Sequence, residues 1–173
     1  MKIGTTLAGG ALTLLAAVAA CSHSETQPAG DDPSPAGGSQ YVLADEPAGA
    51  QDVIQVRAAA KDQDEVTVVG RIGGSVDPWV KGMAAFTIVD PSKRACSDIP
   101  GDECETPWDY CCETLTGATA LVKFVDEDGR VVKTDARELL KLKELQTVVV
   151  RGKAQRGAEG NLVILATGLH VRK

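Results

Sequence analysis

The sequence predicts an all-β domain, a small barrel of five strands with minor helical content. Three observations predict it. Apolar residues alternate at period two in several short runs after Glu65, bounded by Gly, Asp and Pro. One segment of helical period falls between the third and fourth of these runs. The 173 residues are 43% hydrophobic, enough for one core and hardly more once a leader and a tether are set aside.

At the N-terminus, Lys2 is followed by an apolar run through Leu7, Leu12, Leu14, Leu15 and Val18, and then by small residues before Cys21. That order is a signal peptide over 1–20. The run is interrupted by Gly4, Gly9 and Gly10 and is short for the roughly 30 Å of a bilayer core, which argues against a permanent span. The junction Val18-Ala19-Ala20-Cys21 resembles the lipobox of bacterial lipoproteins, with Val18 where leucine is commoner. The resemblance implies cleavage before Cys21 and its lipidation, giving a cell-envelope protein anchored in a membrane and facing the periplasm or the exterior. Each buried methylene contributes about 0.8 kcal/mol, so several acyl chains on one cysteine hold stably. Ser22 in place of an aspartate implies, in families with sorting machinery, the outer membrane.

Residues 21–49 carry Pro28, Pro33, Pro35 and Pro47 among Gly, Ser and acids, a composition that cannot offset its ordering entropy and reads as a tether. Across 50–63, Val53, Val56 and Ala60 recur at helical spacing beside Ile54, and Pro47 suits a first turn; a short amphipathic helix is expected, its stripe plugging the core.

The domain proper is expected over 64–173. In its first strand Val66, Val68, Gly70 and Ile72 alternate with Thr67, Val69 and Arg71 and end at Gly73-Gly74. Further strands are expected at 85–90, 118–126, 147–154 and 162–171, with a short extension at Val131-Val132 after the Asp128-Gly129 turn. A helix is expected over 135–145, with Asp135 as its N-cap and Leu139, Leu140 and Leu142 apolar. Five strands with a helix between the third and fourth are the order of the OB-fold, a Greek-key barrel. The stretches Val66-Thr-Val-Val-Gly-Arg-Ile-Gly-Gly, Ala85-Phe-Thr-Ile-Val-Asp and Leu145-Gln-Thr-Val-Val-Val-Arg-Gly-Lys resemble the OB domains of the anticodon-binding type. The resemblance covers about 64–172 and rests on strand and turn residues, so it implies a fold more than a ligand.

OB-folds that hold single strands use a cationic groove and aromatic platforms. With Val66, Val68, Ile72, Phe86, Ile88, Val122 and Phe124 inward, the outward set is Thr67, Val69, Arg71, Thr87, Val89, Thr119, Leu121, Lys123 and Val125, with two cations and no aromatic ring. Loss of residues 1–20 takes Lys2 and no acid, moving the formal charge from −6 to about −7. Oligonucleotide or polyanion binding therefore rests on fold analogy alone, and nucleic acid is not the expected partner.

Residues 91–116 form an insertion between strands two and three that a barrel does not require. It holds Cys96, Cys104, Cys111 and Cys112. An even number of cysteines in an exported domain suggests disulfides, the two unstrained pairings joining Cys96 and Cys104 separately to Cys111 and Cys112. The alternative is a thiolate metal or redox centre holding Zn, Cu or Fe-S. The intervals of seven, six and zero residues depart from the close pairs of structural zinc sites. No Lys, Arg or His lies between Cys96 and Glu113 among the acids Asp98, Asp102, Glu103, Glu105, Asp109 and Glu113; these disfavour thiolate, and no EF-hand order is present. Trp79 in the loop after the first strand, and Trp108 and Tyr110 before Cys111, are the candidate contacts for an envelope protein partner. His23 and His170 fit no triad and no phosphate-binding glycine motif occurs, so a non-enzymatic binding or interaction domain without cofactor is expected.

Overall fold

The computed structural model describes residues 37–157 and 160–173. The expected signal peptide, Cys21 and the tether up to residue 36 lie outside the described residues. Six strands are present: β1 (Gln51–Asp52), β2 (Glu65–Ile72), β3 (Ala85–Val89), β4 (Thr119–Phe124), β5 (Thr147–Arg156) and β6 (Leu162–Val171). They form one sheet in the order β1-β2-β3-β4-β6-β5, and β2 also pairs with β5, which closes β2, β3, β4, β6 and β5 into a barrel. The joint between β4 and β6 is parallel, with Val122 opposite Ile164, and the other joints of the barrel are antiparallel. This is the expected five-stranded Greek-key barrel of OB type. Closure leaves few unpaired strand edges, and the two-residue β1 fills the edge of β2 at Val68 and Val69 that β3 leaves open.

The β5–β6 ladder slips by one residue at Arg151/Gly152. A Cβ on Gly152 would stand 2.1 Å from the Leu165 carbonyl oxygen, so the close backbone approach at this bulge needs glycine. The inward residues chosen by alternation meet inside: Val68, Ile72, Phe86, Ile88, Val122 and Phe124 are buried in one core, with Val66 packed at its margin.

The N-terminal helix α1 spans Val53–Ala59, shorter than 50–63, and its N-cap is Asp52 rather than a turn begun at Pro47. The Gln55 side chain accepts from the Asp52 amide at 3.2 Å, one half of a capping box. Val53 and Val56 are buried in the barrel core while Ile54 stays exposed, so the apolar stripe is a plug as expected. The second helix, α2, covers Ala136–Leu140 only. Asp135 caps it by accepting from the Arg137 amide at 3.0 Å, and Lys141 takes left-handed backbone at φ 56°, which stops it short of 145. Leu142 joins the core from beyond the helix end, and Leu145 packs elsewhere, so apolar spacing overstated this helix.

The chain is packed earlier than the tether composition implies. A short 3₁₀ turn at Gly38–Tyr41 leads into the domain, Tyr41 meets Phe124 edge to face at 5.2 Å, and the Leu43 amide donates to Leu169 at 2.8 Å. Tyr41, Val42 and Leu43 form a small apolar island that averaging over a proline-rich window hides. No helix among the described residues is long and apolar enough to cross a membrane.

Candidate functional site

The insertion between β3 and β4 contains two single-turn 3₁₀ segments, Cys96–Asp98 and Pro107–Asp109. Proline presets the first turn of the second segment, and Tyr110 ends it in left-handed backbone at φ 60°. Such a conformation costs a tyrosine about 1 kcal/mol or more and persists where surrounding contacts impose it. Here it sends the Tyr110 ring inward and turns Cys111 and Cys112 back out to solvent.

Tyr110, Ala95 and Val89 form a second apolar cluster, with Leu115 and Leu145 packed at its edge. The insertion is thus folded onto the outer surface of β3, so outward alternation there does not mean exposure. Val69, Val89 and Val125 point out of the barrel yet are buried, because an outward residue meets solvent only where no further segment covers it. Arg71, one of the two outward cations, is held by Asp98 and donates from Nε to the Leu145 carbonyl at 3.0 Å. Burial opposes ionisation of Asp98, but the hydrogen bond and charge of Arg71 hold its carboxyl below the usual range.

The docking continues onto the loop after β2. The Gly74 amide donates to the Trp108 carbonyl at 2.8 Å, and Trp108 Nε1 donates to the Val76 carbonyl at 3.0 Å. A Cβ on Gly73 would lie 2.5 Å from the Trp108 carbonyl oxygen, so Gly73 is what lets the two loops touch.

Of the aromatic candidates for partner contact, two are corrected. Trp79 is buried in the barrel core, 5.6 Å from Phe86 and under the Arg137 guanidinium, with its indole nitrogen donating to Glu144. Tyr110 is buried as well, and its hydroxyl is the buried side-chain polar atom without a partner among the described residues. Trp108 is half-buried.

No protein-family model matches this chain, and no curated protein matches it.

The four thiols are drawn together by this fold. All are free, so no disulfide is formed, in contrast to the pairing the even count suggested. Cys96 is buried, Cys104 half-buried, and Cys111 and Cys112 exposed. The sulfurs of Cys96 and Cys111 are 3.3 Å apart, and those of Cys111 and Cys112 3.8 Å. One donor atom each from Cys96, Cys104, Asp109 and Cys111 lies within 4.8 Å of all the others, and a second such group joins Cys96, Asp102 and Cys112.

Both carboxylates were visible in the sequence as part of an acidic run, but their aim was not. Asp109 Oδ1 accepts from the Cys111 amide at 2.8 Å and from the Cys96 thiol at 3.7 Å, while Oδ2 accepts from the Thr106 hydroxyl at 3.0 Å. The Cys111 amide leads the contacts that hold the Asp109 carboxyl below its ordinary range. Asp102 Oδ1 accepts from the Cys104 amide at 2.8 Å and Oδ2 faces the Cys112 sulfur at 3.8 Å.

These surroundings keep the exposed thiols protonated. Hydrogen bonding with Cys96, then with Cys112, raises the Cys111 thiol, with Asp109 adding to it. At Cys112 the hydrogen bond with Cys111 lowers the thiol, but burial and the neighbouring Cys96 and Asp102 outweigh it and the net shift is upward. A thiol held protonated is a weak nucleophile, and a metal that binds it must displace its proton, so the loop is not set up for nucleophilic attack.

Proposed function

We propose that this protein is a lipid-anchored protein of the bacterial cell envelope, attached through Cys21, whose OB-type domain serves as a non-enzymatic interaction module. Its working surface is the cysteine loop. The observation that carries this reading is the burial of Val89 and the engagement of Arg71 beneath that loop. The part of the outer barrel face around Val89 and Arg71 is covered here by the chain's own insertion, which leaves less of the face on which other OB-folds stack bases and favours recognition by the insertion itself. Its exposed side presents Cys111, Cys112 and a dense set of acids, a surface suited to a cation or to a basic protein partner rather than a polyanion.

The anchor is supported by the residues Val18-Ala19-Ala20-Cys21 and is tested directly. Protein expressed with its leader should partition with membranes and carry acyl mass on Cys21. Cys21→Ala should move it to the soluble fraction, and a variant that stayed equally membrane-bound would remove the basis for lipidation. A second reading, handling of a soft metal, is favoured by the convergence of thiols and carboxylates in the loop.

A further inference from the structure

We propose that the cysteine loop is a zinc-type metal centre in which Cys96, Cys104, Cys111 and Asp109 are the four ligands. This rests on the metal reading of the loop and is independent of the lipid anchor. Three sulfurs and one carboxylate oxygen already lie within 4.8 Å of one another, before any cation draws them in. Tetrahedral bonds of about 2.3 Å to sulfur and 2.0–2.2 Å to oxygen put neighbouring sulfurs about 3.8 Å apart. The Cys96 and Cys111 sulfurs, at 3.3 Å, need to open by about half an ångström to reach that spacing.

The carboxylates distinguish a cation from disulfides. A disulfide sulfur has no proton to donate, so bridging the four cysteines would cost Asp109 its contact from the Cys96 thiol and Asp102 Oδ2 its contact from the Cys112 thiol, while the Cys111, Thr106 and Cys104 donors to these carboxylates would remain. A cation uses the same geometry. The proton that now lies between Cys96 Sγ and Asp109 Oδ1 is replaced by the metal, which bonds to both atoms. In full, one divalent ion displaces the three thiol protons of Cys96, Cys104 and Cys111, forms three metal–sulfur bonds and one metal–oxygen bond, and leaves a centre of charge −2. No Lys, Arg or His lies between Cys96 and Glu113 in sequence, and the cations Arg71 and Lys93 pair with Asp98 and Glu113 rather than with the four ligands.

The support expected around metal ligands is present too. Thr106 fixes the second oxygen of Asp109, and the Cys111 amide fixes the first, so the carboxylate is oriented by groups that do not themselves bind. Cys96 and Tyr110 are buried against the barrel, which gives the centre a rigid floor, while Cys111 at the surface leaves a path for entry. The irregular spacing in sequence ceases to be an objection, because the left-handed turn at Tyr110 and the two 3₁₀ segments bring distant ligands together without a zinc-finger hairpin. Cys112 lies in the neighbouring group with Asp102, outside the set of four.

The test uses the full chain, reduced and freed of metal, titrated with Zn²⁺ against a chromogenic chelator and with Co²⁺ as the spectroscopic probe. One equivalent should bind, and the cobalt form should show the ligand-field bands of a tetrahedral site with thiolate charge transfer. Thr106→Ala should weaken zinc roughly 10- to 100-fold as a supporting residue, with Cys104→Ser and Asp109→Asn weakening it more, and Cys112→Ser weakening it less than either. The thermal transition of each metal-free variant checks that its barrel is intact. A reduced chain that takes up no stoichiometric zinc or cobalt would overturn both the centre and the metal reading. Stoichiometric binding lost in Cys112→Ser but kept in Asp109→Asn would overturn the ligand assignment while leaving the metal reading standing.

Discussion

The barrel and the insertion on its flank are held together by different physics. In the barrel, five strands share hydrogen-bond ladders around a core that includes fully buried Phe86, Ile88, Val122, Phe124, Val148, Val150 and Ile164. In the insertion, two single-turn segments rest on a three-residue apolar cluster, and most of the remaining contacts are polar: Arg71 with Asp98, Thr106 with Asp109, Trp108 with Val76. A segment with few apolar contacts opens at a lower free energy than the domain that carries it. The difference teaches that the loop can open without unfolding the barrel.

That separability can be broken or confirmed by truncating one fully buried ring on each side. Phe124→Ala should cost about 3–5 kcal/mol and lower the midpoint of the whole cooperative transition, because the cavity opens in the shared core. Tyr110→Ala also removes a buried ring, yet should mainly raise hydrogen exchange and protease cleavage across 91–116 with a smaller loss of global stability. Equal losses in chemical denaturation would show that barrel and loop unfold as one unit.

A smaller effect sharpens the comparison at the point where the two regions join. Asp90, buried at the end of β3, accepts from the Ile54 amide of α1 at 2.8 Å and from the Ser92 amide and hydroxyl at 3.0 and 2.6 Å. Burial opposes its ionisation, but the hydrogen bonds from Ser92 and Ile54 prevail and its carboxyl lies below the ordinary value of 3.8. A depressed native pKa means that the unfolded chain takes up the proton first. The stabilisation is therefore complete above about pH 4 and is lost as pH falls through the native value. Asp90→Asn should cost about 1–3 kcal/mol near neutrality and flatten this part of the acid limb in urea unfolding measured across pH. An unchanged acid limb would show that other carboxylates govern it.

The smallest expected effect concerns one oxygen. The Tyr110 hydroxyl is buried without a partner, and burial pushes its phenol pKa up. Tyr110→Phe removes the unsatisfied group and keeps the ring, so stability should stay level or rise by up to about 1 kcal/mol, read as the denaturation midpoint. A clear loss would reveal a hydrogen bond accepted by the hydroxyl, with the Arg71 guanidinium the candidate donor.

Much of the barrel was legible in the residues themselves. Alternation fixes which side of a strand is inward, so Val68, Ile72, Phe86, Ile88, Val122 and Phe124 could be assigned to the core, and the last strand could be bounded at 162–171, before any contact was known. Capping is equally local, and Asp135 announced the start of α2. Its end was not local. Leu142 continues the apolar pattern past the helix, and a left-handed Lys141 leaves no mark in hydropathy.

The sequence by itself determined that a barrel forms and that four cysteines and a run of acids lie in one insertion, because both are properties of neighbours along the chain. Only the tertiary structure decided what covers the barrel and where the sulfurs point. Trp79 lies in a loop yet fills the core, Val89 points outward yet is buried, and Asp109 reads as a solvated acid yet faces the Cys96 sulfur. Each of these depends on a segment distant in sequence settling onto the barrel. That docking follows from the sum of many weak contacts, with Gly73, Tyr110 and Arg71 at its centre, rather than from any periodic signal.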